Sequence, residues 1–247
     1  MNIYQKLKWF VLSGITETIT ETPVNRLASM PENKVLTGSP TKVEENSEEQ
    51  IFSERARLLA ENAVTLADLY QKRNLVEGCA LKKTAAYTLN GYGVEKPDVL
   101  CLVEGPETID EKQGRLMSGD VGDLFRRMLK AIDLDLEKNT YVSALVPWRG
   151  PGNRKPTDVE KAICKVFWKR EIELVQPKII LAFGTTVSEA LTGVSALSKA
   201  RNSWHSYQGI PVRVTVSLST LIKQPAQRKP AWDDLQAVQE KVKDLLS

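Results

Sequence analysis

The chain has few of the side chains that most metal and nucleophile sites require. Its 247 residues include one histidine, His205, and three cysteines, Cys79, Cys101 and Cys164. The cysteines show neither CxxC nor Cys/His spacing, so the pattern indicates neither a disulfide framework nor a zinc site, and we expect no metal. A serine nucleophile needs a base, and the SWHSYQG segment around His205 offers the imidazole no recognisable acidic partner. The sequence therefore favours reduced thiols and argues against a serine hydrolase.

Long apolar runs and a marked charge excess are missing as well. No stretch approaches the roughly 20 apolar residues of a bilayer helix, and the apolar part of the opening MNIYQKLKWFVLSG is too short for a secretory signal. The 34 basic and 31 acidic residues give a net charge of +3, which is too small to indicate a partner by itself. We expect a cytoplasmic protein without membrane contact.

Changes in composition along the chain predict three regions. Residues 1–49 form an extension, with a short amphipathic helix predicted at residues 4–12 and a linker rich in Pro, Gly, Ser and acidic residues. Residues 50–74 carry apolar side chains at helical spacing, which predicts one long docking helix that ends near Arg73. Residues 75–247 form the main domain.

Strand and helix patterns alternate through the main domain. Strands are predicted at residues 98–103, 141–146, 178–183 and 212–217, and helices at residues 121–131, 158–174, 186–191 and 231–246. Strict alternation is typical of a parallel sheet with helices on both faces. We therefore predict an α/β protein with three α/β/α layers, a central, mainly parallel four-stranded sheet and an N-terminal helical extension.

In such folds the sites gather where the parallel strands end, so the loops after the strands are the candidates. Glu104 follows the first strand and could orient water or accept a proton, although a helix cap is an alternative role. After the second strand, PWRGPGNRKPTD holds Arg149, Arg154 and Lys155 on a rigid Pro/Gly frame, which favours anion binding over a simple turn.

The loop after the fourth strand is a cluster of hydroxyl groups. In VTVSLSTLIKQP, Ser217, Ser219 and Thr220 precede Lys223. Because no base is evident nearby, these hydroxyls suit hydrogen bonds to a phosphodiester better than nucleophilic attack.

An ordered set of motifs resembles the family 4 uracil-DNA glycosylases. It comprises EGP at 104–106, QGR at 113–115, GPGNRKP at 150–156, IELVQPKIILAFG at 172–184 and LIKQPAQRKPAWDDL at 221–235. The resemblance covers roughly residues 75–247. It implies a repair hydrolase that scans DNA, extrudes uracil into a pocket and hydrolyses the N-glycosidic bond, which leaves an abasic site for base-excision repair.

The resemblance also assigns a base pocket, in which several positions depart from the family pattern. The family loop Gly-Glu-Ala-Pro-Gly reads Val-Glu-Gly-Pro-Glu here, so the water-orienting Glu104 is kept, together with Gly105 and Pro106. Met117 stands in place of the stacking Phe, and a thioether forms no π-stack.

Two further departures remove polar groups from the pocket. Ala144 replaces the asparagine that reads the uracil edge, and Ser217 replaces the histidine that stabilises the departing anion. Loss of one such donor typically costs about 100- to 1000-fold in rate. The resemblance therefore implies that uracil excision is weak or lost, which makes the chain a pseudoenzyme candidate.

The resemblance also implies that the positions that contact the DNA backbone are retained. They are Arg149, Asn153, Arg154 and Lys155 in the second loop and Ser219 and Lys223 in the last. Since backbone contacts carry most of the affinity for DNA, we expect binding to single-stranded or duplex DNA to outlive catalysis.

The family often carries a [4Fe-4S] cluster on four cysteines. Cys79 and Cys164 match two of those positions, while Val76 and Trp148 occupy the other two. Two thiolates cannot hold this cluster, so we expect no cofactor.

Three functions from different classes stay open. The first is a DNA-binding glycosylase relative with impaired uracil chemistry. The second is an active glycosylase of altered lesion specificity, in which Glu104 directs water and Ala144 admits a different base. The third is a non-catalytic interaction protein that contacts a partner through the N-terminal extension. We expect a monomer, and whether His205 replaces the family histidine is open at this stage.

Overall fold

The structure is a computed structural model that describes residues 42–246, with side chains from Glu49 onward. The helix predicted at residues 4–12 and most of the predicted linker lie outside the described residues. Among the helices within residues 42–246, none has the length and apolar character of a membrane span.

A six-stranded sheet forms the centre of the domain. Its strands are β1 (Tyr92–Gly93), β2 (Val99–Val103), β3 (Thr140–Ala144), β4 (Ile179–Phe183), β5 (Trp204–Tyr207) and β6 (Ile210–Thr215). The order is β1-β3-β2-β4-β6-β5, in which β3, β2, β4 and β6 are parallel and the edge strands β1 and β5 are antiparallel. The four predicted central strands are confirmed. The edge strands escaped prediction because they are short and half exposed, so they lack a buried apolar run.

Helices cover both faces of this sheet. They are α1 (Lys42–Glu61), α2 (Leu66–Arg73), α3 (Ala80–Thr84), α4 (Thr108–Gln113), α5 (Gly119–Lys130), α6 (Asp158–Val175), α7 (Thr185–Thr192), α8 (Leu197–Arg201), α9 (Leu218–Lys223) and α10 (Arg228–Leu246). The helices predicted at 121–131, 158–174, 186–191 and 231–246 correspond to α5, α6, α7 and α10.

Alternate side chains of the central strands point to opposite cores. Leu100 and Leu102 of β2 belong to a core built with α1, α2, α6 and α7. Val99, Cys101 and Val103 of the same strand belong to the other core, built with α5, α9 and α10. The three-layer α/β/α prediction is confirmed, and its physical basis is this two-sided burial of the central strands.

The prediction of one long docking helix that ends near Arg73 is wrong in one respect. This part of the chain forms two helices, α1 and α2. The Thr65 hydroxyl accepts a hydrogen bond from Asp68 N at 3.1 Å, and the Asp68 carboxylate accepts one from Val64 N at 3.0 Å. The Thr65 cap starts a new helix at Leu66, whereas the first helix ends at Glu61. Helix α1 also begins at Lys42, within the predicted linker.

A buried polar cluster fastens α2 to the sheet. The hydroxyls of Tyr70 on α2 and Tyr141 on β3 donate to Glu171 Oε1 on α6 at 2.8 and 3.1 Å. Arg73 forms an ion pair with the same carboxylate at 3.7 Å, and the two side chains of this pair are each 2% exposed. Because loss of one partner would leave a buried charge unpaired, α2 is an integral part of the domain.

Candidate nucleic-acid interface

A groove of about 860 Å³ lies where the parallel strands end. The loops after β2, β3 and β6 and the start of α5 form its walls, as expected at the carboxyl edge of a parallel sheet. The predicted site residues that line it are Glu104, Gly105, Pro106, Met117, Arg149, Asn153, Arg154, Lys155, Ser217, Ser219 and Lys223. The fold thus brings three separate loops into one surface.

Ala144, which was also predicted as a pocket residue, lies outside the lining. It ends β3, pairs with Val103 of β2 and is 3% exposed within the core. A methyl side chain at this position ends in the apolar core, and it offers neither a hydrogen-bond donor nor an acceptor.

Glu104 is the first residue after β2 and its side chain is exposed to the groove. Its carbonyl accepts a hydrogen bond from Val146 N at 3.0 Å, which joins the loops after β2 and β3. The backbone of Glu104 is therefore held while the carboxylate faces solvent, where it can contact a water or a ligand.

Met117 lies in the groove wall in a conformation that is uncommon for a side chain larger than glycine. Its φ is 58° and its side chain is buried. The Met117 carbonyl accepts from Arg126 Nη1 at 3.2 Å, and a Cβ on Gly122 would lie only 1.8 Å from that carbonyl oxygen. Close packing of α5 against this loop therefore fixes the thioether at the groove.

Two of the predicted cations are already paired with carboxylates. Arg149 Nη1 lies 2.9 Å from Glu111 Oε2, and Arg149 Nε donates to Asn153 Oδ1 at 2.7 Å. Arg154 makes two hydrogen bonds to the Glu160 carboxylate, at 2.7 and 2.6 Å. The sequence analysis missed both acidic partners, because their contacts depend on tertiary structure.

The two lysines of the groove differ from the arginines in this respect. Lys155 and Lys223 are exposed and form no ion pair with any residue in the described part of the chain. Their charges lie in the loop after β3 and on α9, where they can attract an anionic ligand to this groove.

The cation-bearing loop leads directly into α6 through a capping box. The Thr157 hydroxyl accepts from Glu160 N at 3.3 Å, and the Glu160 carboxylate accepts from Thr157 N at 2.8 Å. Arg154 first, and then the Thr157 N–H, lower the pKa of the buried Glu160 to about 2.

This low pKa predicts an acid-dependent loss of stability. Since the folded pKa of Glu160 lies below the unfolded value of about 4.3, the stabilisation is complete above that value and is lost as the pH falls toward 2. Between pH 7 and pH 3 we expect the unfolding free energy of the unmodified protein to fall by about 2 kcal/mol more than that of Glu160→Gln. Urea unfolding at both pH values measures the difference. The exposed Glu189→Gln on α7 is the matched control, and an identical pH dependence in both variants would contradict the assignment.

Ser217 caps α9 and is not free to act as a nucleophile. Its Oγ accepts from Thr220 N at 3.3 Å and lies 2.7 Å from Thr220 Oγ1. Gly184, with φ 95°, approaches it so closely that a Cβ there would lie 3.2 Å from Ser217 Cβ. The hydroxyl cluster is thus a helix start at the groove edge.

His205 lies away from this groove. It belongs to the edge strand β5, and its Nε2 lies 2.8 Å from the Ala200 carbonyl oxygen. It is not among the residues that line the groove, so its imidazole does not take the place of the family histidine, whose position Ser217 occupies.

The four positions that the resemblance assigns to cluster ligands belong to one apolar core. Val76, Cys79, Trp148 and Cys164 are all buried there, and Trp148 Nε1 donates to Thr88 Oγ1 at 2.9 Å. Burial raises the pKa of both thiols. Two thiols, an isopropyl group and an indole do not fit a [4Fe-4S] cluster, which needs four thiolates.

Comparison with known proteins is consistent with this geometry. Residues 90–236 match the family described as the uracil DNA glycosylase superfamily, which is more than half of the chain. The chain belongs to this superfamily. All three of the loops that line the groove lie within the matched segment.

Named relatives place the chain near one branch of the superfamily. It is 27% identical to the Type-4 uracil-DNA glycosylase of Sulfurisphaera tokodaii, over 66% of this chain and 78% of that protein. It is 32% identical to the Type-4 enzyme of Thermotoga maritima, over 44% and 56%. A DNA polymerase of Bacillus phage SP01 is 26% identical over 59% of this chain, but the match spans only 16% of the phage protein. The resemblance to family 4 is confirmed.

Proposed function

We propose that this protein is a uracil-DNA glycosylase-like DNA-binding protein of base-excision-repair type, in which uracil excision is weak or lost. The observation that supports it most is the composition of the groove. Cations, loop backbone and hydroxyls from three loops meet there, whereas Ala144 carries only a methyl group outside the lining and the Ser217 hydroxyl is engaged with Thr220.

The DNA-binding part of the proposal is supported by charge and position. Lys155, in the loop after β3, and Lys223, on α9, form no ion pair within residues 49–246. Arg149 and Arg154 can exchange their carboxylate partners for phosphates, which have similar geometry. Ser219 adds a neutral hydrogen-bonding group on the same surface. Contacts of this kind bind the backbone irrespective of base sequence.

A second candidate is an active glycosylase with altered lesion specificity. Glu104 in the groove favours it, because an exposed carboxylate there can direct a water molecule. A release assay on a panel of damaged bases tests this candidate, and it fails if none of them is excised.

We also propose that the protein is a cytoplasmic monomer without an iron–sulfur cluster. In this proposal the N-terminal extension can contact a protein partner. The donor set at positions 76, 79, 148 and 164 supports the cofactor part.

The deciding experiment measures binding and release on the same oligonucleotides. We expect salt-dependent binding to single-stranded and duplex DNA, with uracil release at high protein excess several powers of ten slower than that of an active relative. Rapid release would contradict the loss of chemistry, and binding that is absent or insensitive to salt would contradict the DNA-binding role.

A further inference from the structure

An exposed tryptophan lies on the second turn of α10. Trp232 is 39% exposed, whereas Trp148 and Trp168 are 2% and 4% exposed. The Trp232 ring has no aromatic or cation–π contact among residues 49–246. An indole has one of the largest apolar surfaces of any side chain and is largely covered in most folded proteins. The Trp232 ring is therefore free to contact a further molecule.

A short connection joins this tryptophan to the groove. Ile222 and Lys223 of α9 line the groove, and Arg228, the first residue of α10, donates from Nε to the Leu221 carbonyl oxygen at 3.4 Å. This contact holds the start of α10 against α9. Trp232 follows Arg228 by four residues, so it lies about 6 Å further along the same face of α10. The exposed surface that carries Trp232 thus continues from the edge of the groove.

A different face of α10 attaches the helix to the sheet. Ala231 and Leu235 are buried in the core, and the Asp234 carboxylate pairs with Arg213 of β6 at 2.9 Å. These contacts fix the helix on the domain. The exposed position of Trp232 is therefore imposed by a packed helix and not by a loop, so its ring needs little ordering when it binds a ligand.

Basic side chains accompany Trp232 on this surface. Arg228 and Lys229 precede it by four and three residues, are exposed and form no ion pair with any residue in the described part of the chain. Residues 223–233 carry these two cations and Lys223 against one carboxylate, Asp233. Cations beside an aromatic ring are typical of proteins that bind single-stranded nucleic acid, in which phosphates contact the cations and bases stack on the ring.

We propose that Trp232 is a stacking platform for an unpaired base of single-stranded DNA that extends from the groove onto α10. This inference rests on the proposed function and specifies its substrate class as single-stranded DNA. A base inside a duplex is covered on both faces by its neighbours, whereas a base in a single strand can present a face to the indole. Arg228 and Lys229 lie beside the phosphates of the same strand.

The test compares binding of the whole chain to a single-stranded oligonucleotide of about 15 nucleotides with binding to a duplex of the same length. Fluorescence anisotropy at low salt measures both affinities. We expect Trp232→Leu, which keeps an apolar side chain but has no ring, to bind the single strand about tenfold more weakly. The affinity for the duplex should change by less than about twofold, and Trp232→Phe should recover most of the affinity for the single strand.

Trp204 provides the matched control. It is 36% exposed, but it lies on the edge strand β5, does not line the groove and has the Arg213 guanidinium carbon 5.9 Å from its ring centroid. Trp204→Leu should leave both affinities unchanged. Urea unfolding of every variant establishes that the protein is folded under the binding conditions. Stacking also quenches indole emission, so saturating single-stranded DNA should quench the unmodified protein more than Trp232→Phe.

Three outcomes overturn the stacking role: an unchanged affinity of Trp232→Leu for the single strand, equal losses on the single strand and the duplex, or an equal loss in Trp204→Leu. Binding by the unmodified protein separates this failure from that of the proposed function. If its salt-dependent binding to DNA persists, only the role of Trp232 is lost; if it binds neither DNA, the proposed function fails as well.

Discussion

Replacing Lys155 and Lys223 together by alanine is expected to weaken DNA binding about tenfold or more at low salt. These lysines line the groove in the loop after β3 and on α9, without an ion pair among the described residues, so each can neutralise one phosphate. Two lost phosphate contacts lower the slope of log affinity against log salt concentration by about 2 in magnitude. Fluorescence anisotropy between 50 and 300 mM salt, or roughly that range, measures both quantities.

The control for this experiment has the same change in net charge. Lys130 at the end of α5 and Lys243 on α10 are exposed and do not line the groove, so Lys130→Ala/Lys243→Ala should leave the slope unchanged. If both double variants lose affinity equally, binding follows overall charge and the groove is not the interface.

Removal of the carboxylate that pairs with Arg149 tests the same groove in the opposite direction. Glu111 accepts from Ala86 N and from Arg149, and these contacts hold the pKa of Glu111 below its ordinary value. Glu111→Gln removes the negative charge that competes with phosphate for Arg149. Tighter DNA binding by this variant would support the same groove.

Restoring the missing polar groups is expected to raise uracil release. Ser217→His places an imidazole on the groove wall, where one donor to the departing anion is worth about 100-fold or more. Ala144→Asn restores the amide that the family resemblance places at this position. We expect the double variant to release uracil about 100-fold faster than the unmodified protein, measured at high protein excess.

Stability and position need separate controls in this experiment. Ala144 is buried among apolar side chains, so an amide introduced by Ala144→Asn costs about 1 to 3 kcal/mol unless it is hydrogen-bonded, and urea unfolding must accompany the rate. Ser219→His introduces the same ring two residues further along the groove wall, where we expect no gain. A folded double variant with no increase in release would contradict the roles given to positions 144 and 217.

The sequence predicted the layers of the fold because the central strands β2 and β4 are continuous apolar runs. Both faces of β2 are buried, so its pattern has no polar alternation, and the same holds for β4. The break between α1 and α2 was missed although Thr65 and Asp68 have the spacing of a capping box. Apolar residues at helical spacing on both sides concealed it.

For the site, the sequence by itself determined which loops contribute, because parallel strands must end at one edge of the sheet. It also determined that His205 has no acidic neighbour along the chain. Only the tertiary structure decided that Glu111 and Glu160 neutralise two of the cations, that Ala144 lies behind the groove and that Glu107 lines it. The physical reason is that local pattern specifies elements and their ends, whereas charge pairing and burial depend on distances between residues that are remote along the chain.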